Sequence, residues 1–369
     1  MLRPRETAMS FRRRTLLIAL LSSALAFGCS RPATSGWRAT ELPTNASFNG
    51  VWFTDSLNGW ISGGARDVRG GLLGRTRDGG RTWTFCSDVV PGTGHEGFYL
   101  NEMQFQDSLH GCVVGDSGLI LLTGDGGTTW RRARSNTGTL IRLQLQGSDG
   151  WALGPAALIG TSDGGETWHE LVRNQDSNGY LCGRAAAFTD ALHGWLLAYT
   201  EPLMRTDDGG LDWTTVPLPA ETRGAPGDIT FVDATHGWLV GGFGVICRTR
   251  DGGLTWERQV KGVPVEREQQ RGEKPPPRFG SEWQEPYKLE LTSVRFADRQ
   301  RGFALGHYGD VGESVILGTR DGGRTWATEA RAPGQFLQRL FVLDRRHAWA
   351  VGFRARQLPQ TLYRYTAAE

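Results

Sequence analysis

The feature that most constrains this chain is an octapeptide, Thr-x-Asp-Gly-Gly-x-Thr-Trp, that recurs along its length. The clearest copy occupies residues 319–326. The full pattern also occurs at residues 76–83, 123–130, 161–168 and 249–256, and a sixth copy at 206–213 has Asp212 in place of the second Thr. Each copy follows a short apolar run and precedes a strand-like segment. The repeat therefore predicts a series of β-hairpin connections.

The residue types of this box suit a connection between two strands. Gly adopts positive φ without a Cβ penalty, so the Asp-Gly-Gly core predicts a tight primed turn. The Asp carboxylate can accept backbone N–H groups of its own turn, and the Trp supplies a large apolar anchor. We therefore predict that the box aspartates stabilise turns and hold no metal. They are Asp78, Asp125, Asp163, Asp208, Asp251 and Asp321.

The spacing of the boxes predicts the architecture. The first five lie roughly 40 residues apart, which is the length of one four-stranded propeller blade. A second motif, an aromatic strand, an acidic turn and a Gly-aromatic strand, occurs seven times. The seventh copy lacks a box and a final strand, and residues 36–43 resemble the missing strand. We predict an all-β, seven-bladed β-propeller over residues 36–369, built of four-stranded antiparallel blades and closed by the N-terminal strand. A charged, Pro-rich insertion is expected near residues 260–287.

Residues 1–29 have the composition of an export signal. Arg12 to Arg14 precede an apolar stretch over residues 16–27, which is short for a membrane span, and Gly28 and Cys29 follow it. A small residue before Cys predicts a lipoprotein signal, with Cys29 as the lipidated mature N-terminus and residues 30–35 as a tether. Ordinary secretion and twin-arginine export are the alternatives, and Met9 is an alternative start to Met1. The predicted location is a membrane-anchored lipoprotein facing the periplasm, the cell exterior or a thylakoid lumen.

Charge and cysteine content exclude several classes of partner. The formal net charge of +2 gives no global field for nucleic acid. Cys86, Cys112, Cys182 and Cys247 remain after Cys29; their even number permits disulfides in an exported protein but indicates no pairing. Cys112 occupies a slot where other repeats have Trp or Phe, so a buried thiol is expected there. The spacings match no zinc site, and we expect no metal and no cofactor.

The pattern Phe-x-Asp-x-x-His-Gly-Trp at residues 188–195, followed by the box at 206–213, resembles the photosystem II assembly and stability factor family, within the wider Asp-box repeat group. The resemblance covers about residues 36–366. It implies a seven-bladed, non-catalytic propeller that binds a membrane protein complex or its assembly intermediates as an assembly factor or scaffold. That complex would be photosystem II if the source is photosynthetic. We expect a monomer, because the blades form one cooperative domain.

Strand alternation assigns loops to two faces of the ring. The box turns share one face with the acidic 1–2 turns, and the other face carries the 2–3 and 4–1 loops around the channel mouth. Because ligand sites favour concave mouths, we predict a binding lip on that second face, with basic groups able to pair with carboxylates or phosphates. Its members are Arg66, Arg69, Arg354 and Arg356 from adjacent blades, with His307 and Tyr308.

The alternative function is that of a sialidase-like glycoside hydrolase or a glycan-binding propeller. Hydrolysis would require a substrate-binding arginine cluster and paired catalytic side chains. The chain has no Arg-Ile-Pro motif near its first blade, and seven blades exceed the six of sialidases. No nucleophile elbow, phosphate-binding loop or dinucleotide motif is present. We therefore predict no catalytic residues. His110, His193 and His236, which recur in the 1–2 turns, are expected to be turn residues.

Overall fold

The computed structural model describes residues 36–65, 71–87, 89, 99–133, 135–173, 183–198, 203–220, 222, 226–264, 289–308, 312–354 and 358–367. Most of the predicted insertion and the whole export signal lie outside these residues. The described elements are 28 β-strands and two short 3-10 turns, at Asp116–Gly118 and Gly242–Gly244. Within this part of the chain, no helix has the length and apolarity needed to cross a bilayer.

The strands form seven antiparallel four-stranded sheets, which confirms the predicted propeller. Blade 1 contains β2 (Ser47–Phe53), β3 (Gly59–Gly64), β4 (Leu72–Thr76) and β5 (Thr84–Ser87). Blade 2 contains β6 (Leu100–Phe105), β7 (Gly111–Gly115), β8 (Ile120–Thr123) and β9 (Arg131–Arg132). Blade 3 contains β10 (Arg142–Gln146), β11 (Asp149–Leu153), β12 (Ala157–Thr161) and β13 (His169–Arg173). Blade 4 contains β14 (Ala185–Phe188), β15 (Gly194–Leu197), β16 (Met204–Thr206) and β17 (Thr214–Thr215).

The remaining blades follow the same order. Blade 5 contains β18 (Pro226–Phe231), β19 (Gly237–Gly241), β20 (Val245–Thr249) and β21 (Glu257–Arg258). Blade 6 contains β22 (Leu289–Phe296), β23 (Gly302–Tyr308), β24 (Glu313–Thr319) and β25 (Ala327–Pro333). Blade 7 contains β26 (Gln335–Val342), β27 (His347–Arg354), β28 (Thr361–Thr366) and, as its outermost strand, β1 (Gly36–Glu41).

The N-terminal strand closes the ring, as predicted. β1 runs antiparallel to β28, with Gly36 opposite Thr366 and Glu41 opposite Thr361. Trp37 packs its ring against Phe303 of blade 6, with the ring centroids 5.1 Å apart. One blade is thus built from both ends of the propeller, and this pairing covers the edge that β28 would otherwise expose.

The box is itself the loop between the third and fourth strands, so the predicted two-residue primed turn is wrong. β4 ends at Thr76 and β5 begins at Thr84, and residues 77–83 connect them. The two glycines do have positive φ, 74° at Gly79 and 89° at Gly80. The longer loop forms because the Asp side chain, and not a tight backbone turn, organises the connection.

The box of blade 2 illustrates this organisation. Asp125 Oδ1 accepts the backbone N–H groups of Thr128 and Thr129, both at 2.9 Å, and Oδ2 accepts the Thr129 hydroxyl at 2.6 Å. The Thr123 hydroxyl donates to Asp125 Oδ1 at 2.8 Å and accepts the Gly127 N–H at 2.9 Å. The hydrogen bond from the Thr129 side chain, with others from the loop, lowers the pKa of Asp125 to about 2. The carboxylate has the contacts that a turn clasp requires.

An aromatic stack joins neighbouring blades. Phe53 of blade 1 stacks on Trp349 of blade 7 with ring centroids 3.6 Å apart, and it meets Trp83 of its own box edge-on. Gly59 accommodates this arrangement, because a Cβ there would lie 2.4 Å from the Phe53 ring. The same stacking on the preceding blade's Trp occurs at Phe105, Phe188, Phe231 and Phe296. The Gly-Trp motif is therefore an inter-blade packing device.

The cysteine expectations have separate outcomes. Cys112 is fully buried, as predicted, and burial raises the pKa of its thiol. Cys247 is also buried in a different cluster; burial raises the pKa of its thiol to about 11, and neither residue forms a disulfide. Cys86 is exposed. Cys182 and Cys29 lie outside the described residues.

Candidate functional site

The two faces of the ring are identified by contacts between loops. In blade 1 the N–H of Gly79 in the box donates to the carbonyl of Leu57 in the 1–2 turn, at 2.8 Å. In blade 2 the corresponding bond joins Gly126 and Leu109 at 2.9 Å. We call this side, which carries the boxes and the 1–2 turns, the box face. The inner strands β2, β6, β10, β14, β18, β22 and β26 all run towards it.

The predicted binding lip lies on the opposite face and is described only in part. Arg66, Arg69 and Arg356 lie outside the described residues. Arg354, at the end of β27, is half-buried and donates from Nη2 to Asn45 Oδ1 at 2.8 Å. Asn45 lies two residues before the start of β2, so Arg354 spans the junction between blades 7 and 1, where the lip was predicted.

His307 and Tyr308 end β23 on the same side, but they differ in accessibility. His307 is partly buried, its Nε2 lies 3.6 Å from Glu290 Oε2, and burial lowers its pKa. Tyr308 does not belong to an exposed lip, because its side chain is fully buried in the core between blades 5 and 6 and its hydroxyl donates to the Pro264 carbonyl at 3.2 Å. The sequence pattern did not predict this burial, because it did not indicate that Tyr308 still belongs to the apolar strand β23.

The recurrent histidines on the box face bind the acidic residue of their own turn. In blade 2, Asp107 Oδ1 accepts the N–H of His110 at 2.7 Å, and Asp107 Oδ2 lies 2.8 Å from His110 Nδ1. His193 and Asp190 repeat this contact in blade 4. Within the described ranges, no three His, Cys, Asp or Glu side chains are grouped closely enough to hold a metal ion.

The chemically distinctive part of the molecule is the central channel. The inner strands of five blades place charged side chains there, at equivalent or nearly equivalent positions within each strand. We call this set the channel cluster; its members are Glu102, Arg142, Asp228, Arg295 and Arg339. They come from blades 2, 3, 5, 6 and 7.

One contact of the cluster crosses the channel. Arg339 of blade 7 brings Nε to 3.5 Å from Glu102 Oε2 of blade 2, and its Nη2 donates to the Ile141 carbonyl of blade 3 at 3.2 Å. Gly50 occupies the equivalent position in blade 1, where a Cβ would lie 2.2 Å from Ser62 Oγ and 3.3 Å from Glu102 Cα. The long Arg339 side chain therefore braces three blades.

The second ion pair of the cluster is between adjacent blades. Asp228 of blade 5 accepts Arg295 Nη1 at 2.6 Å and the backbone N–H of Val294 at 3.0 Å, both on Oδ2. Asp228 is almost completely buried, whereas the Arg295 side chain is 29% exposed. Because Asp228 also bonds the backbone of the next inner strand, this pair fixes the junction of blades 5 and 6.

Glu102 is the residue of the cluster whose pKa is strongly raised. Burial raises the pKa of its carboxyl group to about 7, although Arg142 and Arg295 oppose this shift. Asp228, whose negative charge acts in the same direction as burial, adds to it. The cost of removing the Glu102 carboxylate from water exceeds the attraction of the nearby guanidinium groups.

A cavity of about 340 Å³ lies above the cluster. Its lining residues on the inner strands extend from the cluster to the strand ends at the box face, among them Gln146, Phe188 and Phe231, so the cavity reaches the box face. Trp52 and Phe341 form an aromatic wall, with ring centroids 4.7 Å apart. Gln104 and Gln144 complete the wall by bonding across to the backbone of the next blade.

This site can bind a ligand through both ionic and apolar contacts. Two guanidinium groups and two carboxylates line the floor, Arg339 contacts one of these carboxylates, and aromatic rings line one wall. Sequence reasoning missed the channel cluster because it assigned candidate residues to loops. The available signal was the occurrence of charged residues inside otherwise apolar inner strands, such as Asp228 and Arg295.

Comparisons with known proteins agree with the resemblance predicted from the blade motifs. The model of a family described as Photosynthesis system II assembly factor YCF48 matches residues 95–180 and 211–271. A protein named Photosystem II assembly lipoprotein Ycf48, from Synechococcus sp. (strain CC9902), is 32% identical over 167 residues, which are 42% of this chain and 47% of the relative. The alignment thus spans about half the length of that curated relative.

Solved structures show the same fold. One, described as YCF48 bound to D1 peptide, has a TM-score of 0.65 at 20% identity and covers 90% of this chain and 97% of its own. YCF48 from Cyanidioschyzon merolae has a TM-score of 0.66 at 17% identity, covering 90% of this chain and 99% of its own. At these identities the structural likeness establishes the propeller fold alone.

Proposed function

We propose that this chain, which is similar to photosystem II assembly factors, is an exported, lipid-anchored protein that binds a membrane protein complex as an assembly factor or scaffold. Its proposed role is binding, without catalysis, and photosystem II is the partner if the source is photosynthetic. Relatives support this proposal: one is named an assembly lipoprotein, and another was solved with a D1 peptide.

The observation that carries the proposal is that the start of the propeller and the mouth of the channel cavity share one face. Gly36, the first residue of β1, pairs with Thr366, which in turn pairs with His347 at the 1–2 turn of blade 7. That turn belongs to the box face. Six residues lie between Cys29 and Gly36, and the seven steps of an extended chain that join them reach at most about 25 Å. A lipid on Cys29 would therefore keep the box face, and the cavity mouth, near the bilayer.

The anchor is tested by the substitution Cys29→Ser. We expect this variant to move from the membrane fraction to the soluble exported fraction, because serine lacks the thiol to which the lipid would be attached. Cys86→Ser is the matched control and should leave the protein with the membranes. Retention of the Cys29→Ser protein by carbonate-washed membranes would contradict the anchor.

The partner is tested by affinity purification from gently solubilised membranes, with mass spectrometry of the eluate. We expect stoichiometric recovery of one membrane complex. Joint neutralisation of Arg66, Arg69, Arg354 and Arg356 tests the predicted lip, and Arg142→Gln tests the channel. If only one of the two variants loses the complex, the partner binds the surface that this variant changes. If the native protein is recovered from the membranes as a monomer without a partner, the assembly role is contradicted.

A further inference from the structure

The floor of the channel cavity carries more positive than negative groups. Glu102, Asp228, Arg142 and Arg295 line the cavity, and Arg339 contacts Glu102 beside it. Among the described residues of the cluster, three guanidinium groups thus meet two carboxylates, so the fully ionised cluster has one uncompensated positive charge. An unbalanced charge in a largely desolvated site is costly unless a counter-charge joins it. We propose that the cavity is a binding site for one carboxylate group, which Arg142 and Arg295 receive at its floor.

The guanidinium group of Arg142 has hydrogen-bond donors that are available to a ligand. Its Nη1 bonds the Ile141 carbonyl at 3.3 Å, and its buried Nε has no hydrogen-bond partner within the described part of the chain. A guanidinium group presents five N–H donors in a planar fork that matches a carboxylate. Arg339 is less available, since its two Nη atoms donate to the carbonyls of Gln338 and Ile141. Arg142 is therefore the main receptor of the incoming charge.

Arg295 is the second receptor because one side of its guanidinium group is already held. Its Nη1 is fixed by Asp228 and by the Val294 carbonyl, both at 2.6 Å, while the side chain remains 29% exposed. Asp228 thus positions Arg295 without covering it. A ligand carboxylate between Arg142 and Arg295 would complete a charge-neutral set of three acids and three bases.

The walls select an organic carboxylate. The Trp52–Phe341 pair presents apolar ring surface beside the charged floor, and the volume of about 340 Å³ is within the range of ligand pockets. A carboxylate carrying an apolar substituent fits both surfaces, and the carboxyl terminus of a protein chain has this chemistry. This assignment rests on the proposed function, because the membrane protein partner would be the source of the carboxylate. That partner would approach the box face, where the mouth of the cavity lies.

Glu102 gives the site a pH signature. The charged groups that face it in the channel are Arg142, Arg295, Arg339 and Asp228. Burial raises the pKa of Glu102 to about 7, so its negative charge is lost as pH falls through that value. Because that charge repels a carboxylate ligand, affinity should increase from pH 8 to pH 6.

The experiment uses the mature propeller with its export signal removed, and it follows the fluorescence of the protein during titration. The probes are N-acetyl-Leu-Leu-Ala with a free carboxylate, the same peptide as its C-terminal amide, and sodium acetate. We expect the free acid to bind at least tenfold more tightly than the amide. We also expect its affinity to increase severalfold from pH 8 to pH 6, and Glu102→Gln to remove this pH dependence.

Two variants locate the binding. Arg142→Gln should abolish the preference for the free acid, whereas Arg132→Gln, an exposed arginine on the outer strand of blade 2, should retain it. Competition by millimolar acetate would assign the site to small carboxylates in general, and failure of acetate to compete would assign it to chain termini. Equal binding of acid and amide, absence of saturable binding, or full retention of the acid preference in Arg142→Gln would each overturn the proposal.

Failure of this site can be distinguished from failure of the proposed function. If the peptide does not bind but the membrane complex still co-purifies, the protein is an assembly factor that uses another surface. If the peptide binds as expected but no complex co-purifies from native membranes, the carboxylate site stands and the assembly role fails. The circular dichroism spectrum of Arg142→Gln provides the check that the variant is folded.

Discussion

Arg339 of blade 7 and Glu102 of blade 2 face each other across the central channel, with Nε and Oε2 3.5 Å apart. The two residues are not in neighbouring blades, because blade 1 lies between them and contributes only Gly50 at this level. The pair closes the floor of the cavity on the side away from the box face. It also leaves Glu102 so poorly hydrated that the pKa of its carboxyl group rises to about 7 in spite of the nearby arginines.

This pair predicts a pH dependence of stability. The pKa of Glu102 is higher in the folded protein, about 7, than its ordinary value of 4.5. The folded state then binds the proton more tightly than the unfolded state, so the free energy of unfolding should decrease as pH rises from about 5 to about 7. Glu102→Gln should remove this decrease, which is measured by chemical denaturation at pH 5, 6, 7 and 8.

The box aspartates do not interfere with that measurement. Hydrogen bonds from Thr129 and Thr167 lower the pKa values of Asp125 and Asp163 to about 2. Their contribution to stability is fully present above about pH 4 and is lost only as pH falls towards 2. A native protein whose unfolding free energy is constant from pH 5 to 8, or a Glu102→Gln variant with an unchanged slope, would contradict the assignment.

The box of blade 6 predicts a loss of stability without a loss of metal. Asp321 accepts the Thr325 N–H at 2.9 Å and the Thr325 and Thr319 hydroxyls at 2.7 and 2.9 Å. Asp321→Ala should lower the free energy of unfolding by about 1–3 kcal/mol, because these donors lose their partner. The exposed neighbour Arg320→Ala is the control and should change it little. Loss of bound metal at unchanged thermal stability would refute the clasp.

The imperfect box of blade 4 predicts a stabilising substitution. In the other five boxes the second Thr hydroxyl donates to Oδ2 of the box Asp, at 2.5–2.7 Å. Asp212 donates only its backbone N–H to Asp208 and adds a second negative charge. Asp212→Thr should therefore raise the free energy of unfolding by about 0.5–1.5 kcal/mol. This is measured by denaturant titration.

A second variant separates the hydrogen bond from the relief of repulsion. Asp212→Ala removes the same negative charge but supplies no hydroxyl opposite Asp208 Oδ2. It should stabilise less than Asp212→Thr. Equal gains from the two variants would show that charge alone accounts for the effect.

The inter-blade stack predicts that the glycine before the second-strand aromatic is intolerant of a side chain. In Gly59→Ala the new Cβ would lie 2.4 Å from the ring of Phe53, which is held between Trp349 and Trp83. Displacing that ring should cost about 1–3 kcal/mol of unfolding free energy. Gly124→Ala, whose Cβ would meet only the His110 ring at 3.9 Å, should be nearly neutral. Similar thermal midpoints for both variants would exclude the stacking explanation.

The boxes and the Gly-Trp motif illustrate how much of the fold could be predicted. The spacing of box aspartates such as Asp78 and Asp125 reports blade length, and residues 36–43 resemble a fourth strand, so blade number and closure followed from local patterns alone. The partners of Phe53 could not be predicted in the same way. One of them, Trp349, is almost the whole chain away and meets Phe53 only when the ring closes.

The sequence by itself determined the seven blades, the closing strand and the buried position of Cys112, because each depends on a repeat whose period is set by hydrogen-bonded strands. Only the tertiary structure decided which charged residues meet. Glu102, Asp228 and Arg339 lie far apart in the chain, and the ring brings them into one desolvated floor. The same packing buries Tyr308, which its polar neighbours had suggested was accessible. Burial and charge proximity arise from the closure of the ring, and no local pattern encodes them.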